Sequence, residues 1–125
     1  MENNKKILIV EDEAPLRNAL RDKLTREGFV VLEAKNGEEG LEVALREHPG
    51  LILLDLLMPG MTGFQLLAQL RKDTWGKDVK VIVISNLPKE DNDLIVAQQL
   101  VFDYLNKADH TLEEVCARVR LLLSV

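Results

Sequence analysis

Leu51-Ile52-Leu53-Leu54-Asp55 is the stretch on which the reading of this chain turns. Its four apolar residues form an unbroken run, too short for a helix and without the alternation of a half-solvated strand. Such a run reads as a strand covered on both faces, the signature of a parallel sheet. The charge that ends it, followed by Leu56-Leu57-Met58, is costly in apolar surroundings unless it has a task. Ile7-Leu8-Ile9-Val10, Val30-Val31-Leu32 and Val81-Ile82-Val83-Ile84 share the character of this run, and Tyr104-Leu105 is a weaker relative.

Helical patterns separate these runs. Leu16, Ala19, Leu20 and Leu24 recur at helical spacing, with Pro15 suited to a first turn and Gly28 to a terminator. Leu41, Ala44 and Leu45 make a second stripe capped by Asn36, and Phe64, Leu67 and Leu70 or Arg71 a third. Pro88 opens a fourth that carries Leu94, Ile95, Gln98 and Leu100. In the fifth, Leu112, Val115, Cys116, Val119, Leu122 and Leu123 share one face, and Thr111 and Glu114 stand at capping-box spacing. Five βα units without repeat or linker predict one doubly wound α/β domain over residues 1–125, helices covering both faces. Periodicity does not give the sheet order. The flavodoxin-like order 2-1-3-4-5 is a common solution at this size, and its switch point lies between the first and third strands.

Composition narrows the function. The 125 residues suffice for one core, with 46% hydrophobic and 30% charged residues. Sixteen Lys and Arg against 21 Asp and Glu give a net charge of −5, which argues against direct nucleic-acid binding. One cysteine, Cys116, cannot form an internal disulfide, and no run approaches the roughly 18 apolar residues of a membrane span. Met1 to Lys6 lacks the apolar centre of a signal peptide. A cytoplasmic protein with no membrane contact is expected.

Ligands of open α/β sheets bind at the carboxyl ends of the strands. The first strand ends in Glu11-Asp12-Glu13, the third in Asp55, the fourth in Ser85, and the fifth runs into Lys107. If first and third strands are neighbours, Glu11, Asp12 and Asp55 meet in one crevice, where repulsion raises a pKa unless a cation intervenes. Mg²⁺, a hard ion that prefers oxygen, suits the need. The three carboxylates with Lys107 total about −2, which one such ion neutralises. A phosphoryl group adding roughly −1.5 to −2 could then be held by metal, Lys107, the Ser85 hydroxyl and backbone N–H groups. A carboxylate so placed can attack a phosphoryl donor in line. Singly these residues have plainer readings: Asp12 a helix cap, Ser85 a turn hydroxyl, Lys107 a solvated charge. Together at four strand ends they point to chemistry.

These residues resemble the response regulator receiver family of two-component signalling along essentially the whole chain. Asp55-Leu56-Leu57-Met58-Pro59-Gly60-Met61-Thr62-Gly63 is similar to its phosphorylation loop, and Ile9-Val10-Glu11-Asp12-Glu13 to its acidic first loop. Val83-Ile84-Ser85-Asn86 resembles the strand with the switch hydroxyl, and Asp103-Tyr104-Leu105-Asn106-Lys107 the last strand with its aromatic and Lys. The resemblance implies that Asp55 accepts phosphate from a histidine kinase, a histidine phosphotransfer protein or a small phosphodonor. It implies Mg²⁺ on Asp12, Asp55 and the Leu57 backbone carbonyl, with Glu11 acting through water. Ser85 then reaches for the phosphoryl group, Tyr104 turns inward, and Lys107 pairs with a phosphoryl oxygen. The surface around the fourth helix, last strand and fifth helix changes its downstream effector, and the chain is a phosphoacceptor rather than an enzyme.

Several positions depart from the family pattern. Ala108 replaces the usual Pro after Lys107, where a cis bond costs about 2 kcal/mol more. Asn86 is bulkier than the usual neighbour of the switch hydroxyl, and Val101-Phe102 stand where Gly-Ala is frequent. Leu57 and Leu87 are apolar where residues commonly steer an attacking water, which predicts slow self-dephosphorylation. His48 and His110 lack metal-ligand spacing and are expected to be exposed. Cys116 is read as core, Trp75 as cover for a core edge, and Lys89-Glu90-Asp91-Asn92-Asp93 as a solvated helix start. Two rivals stay open: a receiver-like binding module that needs no phosphorylation, and a small phosphohydrolase with an Asp nucleophile. The second lacks the usual acid two residues on, where Leu57 stands. Flavin binding fits less well still, because the first loop offers acids where a phosphate needs donors.

Overall fold

The computed structural model describes residues 5–88, 91–98 and 100–123. In chain order they form β1 (Lys6–Val10), α1 (Ala14–Arg26), β2 (Val30–Ala34), α2 (Gly37–Glu47), β3 (Leu51–Asp55), α3 (Gly63–Arg71), β4 (Lys80–Ser85), α4 (Asn92–Gln98), β5 (Asp103–Asn106) and α5 (Leu112–Leu123). All strand pairs are parallel, in the order β2-β1-β3-β4-β5. The expected flavodoxin-like (βα)5 architecture is present, and β1 and β3 lie side by side.

The unbroken apolar runs follow from this layering. Side chains alternate across a strand, so β1 sends Leu8 and Val10 one way and Ile7 and Ile9 the other. Ile52, Leu54, Val81 and Val83 join the first set under residues of α2, α3 and α4; Leu51, Leu53, Ile82 and Ile84 join the second under α1 and α5. Two cores share one sheet, and each requires apolar residues at every second position. Every residue of β3, Asp55 included, is buried.

Some expectations need correction. Val30-Val31-Leu32 is not covered on both faces: β2 is an edge strand, and Val30 is 57% exposed. The buried stripe of α2 runs through Gly40, Val43 and Ala44, while Leu45 faces out. In α3, Leu66, Leu67 and Leu70 are buried and Phe64 is only half covered. Pro88 does not open α4; the helix starts after Asp91, whose Oδ1 accepts the Leu94 N–H. Ile95 is exposed, and Leu100 lies beyond the helix. Of the expected solvated start, Lys89 and Glu90 fall outside the described residues, and Asp93 stands in the first turn.

Capping was more legible. Asn36 caps α2 by accepting from the Glu39 N–H, and Thr111 and Glu114 exchange both bonds of a capping box. Pro15 stands in the first turn of α1, and Gly28 ends that helix at φ +96°, a conformation that favours glycine. A second capping box, Thr62 with Gln65 at the start of α3, went unread. After α4, Arg71 donates to the carbonyls of Leu100, Gly76 and Val79. Trp75 packs on the core edge and stacks on His48 at 4.3 Å. His48 and His110 are thus half-buried rather than exposed. Cys116 is buried, and desolvation pushes its thiol up to about 11.

Candidate functional site

The crevice forms where β1, β3, β4 and β5 end. Pairing of Val10 with Leu54 brings the residues that follow each strand together, so carboxylate oxygens of Glu11, Asp12 and Asp55 all lie within 4.8 Å of one another. Glu11 and Asp55 are 2% and 3% exposed, and Asp12 is half-buried. Lys107 enters from β5 and lies 3.1 Å from Glu11, 3.3 Å from Asp55 and 2.6 Å from Glu13. Its side chain is largely covered, which removes the reading of a solvated charge.

The backbone holds this arrangement. Asp55 Oδ1 accepts from the Leu57 N–H and Glu11 Oε2 from the Glu13 N–H, each at 3.1 Å. Arg17 donates to the carbonyls of Glu11 and Asp12, fixing the acidic loop to the first helix. Gly63 permits close approach of α3 to the end of β3: a Cβ there would stand 2.3 Å from the Asp55 carbonyl oxygen. Asp12 does not cap α1. The N-cap position is Glu13, and its side chain makes no capping bond, so Asp12 is free to face the crevice.

Electrostatics follow from burial. Desolvation raises the Glu11 carboxyl to about 7; the Glu13 N–H works against it, and the Asp55 charge adds to it. Asp55 is likewise raised by desolvation, against the opposing Leu57 N–H and Lys107. Burial alone would lower the Lys107 pKa, but hydrogen bonds to Glu13 and Glu11 and the charge of Asp55 hold it above its ordinary value. A cluster so desolvated is deficient in positive charge. Three hard oxygen donors at this separation fit a divalent cation of the Mg²⁺ kind.

Ser85 is fully buried at the end of β4, and its Oγ accepts the Leu87 N–H at 3.2 Å. The turn-hydroxyl reading therefore describes its present bond. The Tyr104 hydroxyl donates to the Leu87 carbonyl, and the ring packs against the core. Asn86 and Leu57 are exposed. Among described residues no peptide bond is cis, the Lys107–Ala108 bond included. The parts that sequence reasoning missed are the Glu13 bond to Lys107 and the Arg17 anchor. Glu13 stood in the quoted acidic loop, but only the fold reveals which acid reaches Lys107.

Residues 7–120 match the family described as response regulator receiver domain. The chain belongs to this family. Receiver domains are phosphoacceptor signalling domains rather than enzymes of turnover, and the pocket of Glu11, Asp12 and Asp55 fits such a site. This receiver domain is 38% identical over 124 residues to a probable transcriptional regulator, ycf27, of Pyropia yezoensis, covering 98% of this chain and 49% of that protein. It is 36% identical over 102 residues to Protein PilH of Pseudomonas aeruginosa, covering 82% and 84% respectively. The chain thus spans about half the length of the ycf27 relatives it matches. In structure it is similar to the response regulator TrrA from Thermotoga maritima in complex with Mg(2+)-BeF, with TM-score 0.81 and 30% identity over 94% of this chain and 98% of that one. No helix among the described residues is long and apolar enough to cross a membrane.

Proposed function

We propose that Asp55 is the residue phosphorylated and that Mg²⁺ is the cation on which its phosphorylation depends. The observation that carries this reading is the triad of buried Glu11 and Asp55 with half-buried Asp12, within 4.8 Å of one another beside Lys107. Asp12, Asp55 and the Leu57 carbonyl would hold the ion, with Glu11 through water. Bound there, Mg²⁺ supplies neutralising charge to the carboxylates and the incoming phosphoryl oxygens. An Asp55 oxygen attacks phosphorus; the new P–O bond forms as the bond from phosphorus to the donor's imidazole nitrogen or acyl oxygen breaks. Lys107 turns from carboxylate to phosphoryl oxygen, and Ser85 exchanges the Leu87 N–H for the phosphoryl group. Tyr104, whose hydroxyl already donates to the same loop, keeps its inward place, and the face of α4, β5 and α5 changes for an effector.

Residues 1–125 together form this receiver unit on our reading, acting in the cytoplasm. The phosphodonor is a sensor histidine kinase or histidine phosphotransfer protein, and the receiver itself contacts neither nucleic acid nor membrane. Exposed Leu57 offers no polar group to steer water, so the acyl phosphate is long-lived. Intact-mass measurement after incubation with acetyl phosphate tests the proposal. One added phosphoryl group is expected with Mg²⁺, and none with a chelator or in Asp55→Asn. An unmodified wild-type chain would instead favour a binding module that works without phosphorylation.

A further inference from the structure

We propose that Asn106 is a positioning residue of the switch, whose side-chain amide holds Tyr104 turned inward before any phosphoryl group arrives. The inference rests on the phosphoacceptor reading above and adds a member to its machinery. Tyr104 and Asn106 lie two residues apart on β5, so they project from the same face of the sheet. Asn106 Oδ1 accepts the Ala108 N–H at 2.8 Å, which fixes the amide's orientation and aims its NH₂ at the neighbouring loop. That NH₂ lies 3.2 Å from the Leu87 carbonyl oxygen and 3.4 Å from the Tyr104 hydroxyl oxygen. The hydroxyl itself donates to the same carbonyl, which uses both lone pairs. A closed triangle results, joining the end of β5 to the loop after β4.

The triangle touches the reacting end of the molecule through Leu87. The Leu87 N–H donates to Ser85 Oγ, and Ser85 pairs with Asn106 across the sheet. The Tyr104 ring packs against the core cluster on this face of the sheet. An apolar side chain at position 106 would leave the Tyr104 hydroxyl and the Leu87 carbonyl with one partner fewer each. The amide therefore favours the inward ring and raises its population in the unmodified chain. A ligand that requires the inward ring then binds without first shifting that equilibrium.

Tyr104 is the sole tyrosine of the sequence, so ring-labelled tyrosine gives one NMR environment. The probe is beryllofluoride with saturating Mg²⁺ on the full chain. In wild type the ring signal should move little on adding the probe. In Asn106→Ala it should be displaced at rest and return on adding it. Probe affinity should fall about fivefold to tenfold, as expected for losing one or two neutral hydrogen bonds, with Mg²⁺ affinity within about twofold. In a Tyr104→Phe background the same substitution should change probe affinity by less than about twofold, because the partner hydroxyl is gone. A resting ring signal identical to wild type, or an equal loss in the Phe background, overturns the inference. Should Asn106→Ala fail to fold by urea unfolding, Asn106→Val, which suits a strand, carries the same comparison. A wild-type chain that does not take up the probe overturns the phosphoacceptor reading instead.

Discussion

Replacing Asp55 with Asn should stabilise the metal-free protein, although it removes a buried side chain's ion pair. Above about pH 8 Glu11, raised to about 7, carries its charge beside the Asp12 carboxylate. Their oxygens lie no more than 4.8 Å from Asp55, so each repulsion is at least about 3.5 kcal/mol at an effective dielectric near 20. Attraction to Lys107 at 3.3 Å returns about 5 kcal/mol on the same scale. Repulsion wins by about 2 kcal/mol, and screening of half-buried Asp12 trims the expected gain to about 1–2 kcal/mol. The Asn side chain keeps an oxygen for the Leu57 N–H, so that bond survives. Urea unfolding at such a pH, in chelator, measures the gain. Mg²⁺ at about 100 times its dissociation constant should add about 2.7 kcal/mol to wild type and less to the variant, narrowing or reversing the order. An Asn variant less stable than wild type in chelator would refute the claim that the triad is strained without a cation.

Other consequences are as direct. Glu11, raised to about 7, must lose its proton to serve a cation, so Mg²⁺ affinity should fall as pH drops from 8 to 6; titration of Glu11→Gln should lack most of that dependence. Because its folded pKa lies above the ordinary carboxylate value, the metal-free protein should lose stability as pH rises from about 5 through 7, as urea midpoints would record. Leu57→Asn should speed loss of the acyl phosphate in an intact-mass time course; no acceleration would count against the water-access argument. Arg71→Met leaves the Leu100, Gly76 and Val79 carbonyls without their cation and should cost about 2–3 kcal/mol in urea unfolding, with phosphorylation retained.

The candidate site was legible because its residues sit at strand ends, where an apolar run stops on a charge. Leu51-Ile52-Leu53-Leu54-Asp55 declares both the buried strand and the group it delivers. Edge and centre are less easily told apart: Val30-Val31-Leu32 reads like a central strand, yet β2 lies at the edge of the sheet with Val30 exposed. Exposed hydrophobic positions mislead in the same way, as Leu45 and Leu100 did. Helix starts that rest on a side-chain cap can be read from spacing, as with Thr111 and Glu114, but Pro88 drew attention from the real cap at Asp91. Long-range partners are beyond local pattern. Which acid Lys107 meets, and that Asn106 reaches Leu87, depend on strand order and loop path, which no window of sequence contains.

Borohydride reduction of the phosphorylated protein, followed by peptide sequencing, tests the central claim most directly. The acyl phosphate on a carboxyl side chain is reduced to an alcohol, marking the acceptor with a fixed mass change. The account predicts that mark at Asp55 alone, dependent on Mg²⁺. A mark on Asp12 or Glu13, or none in a chain that has gained phosphate, would contradict it.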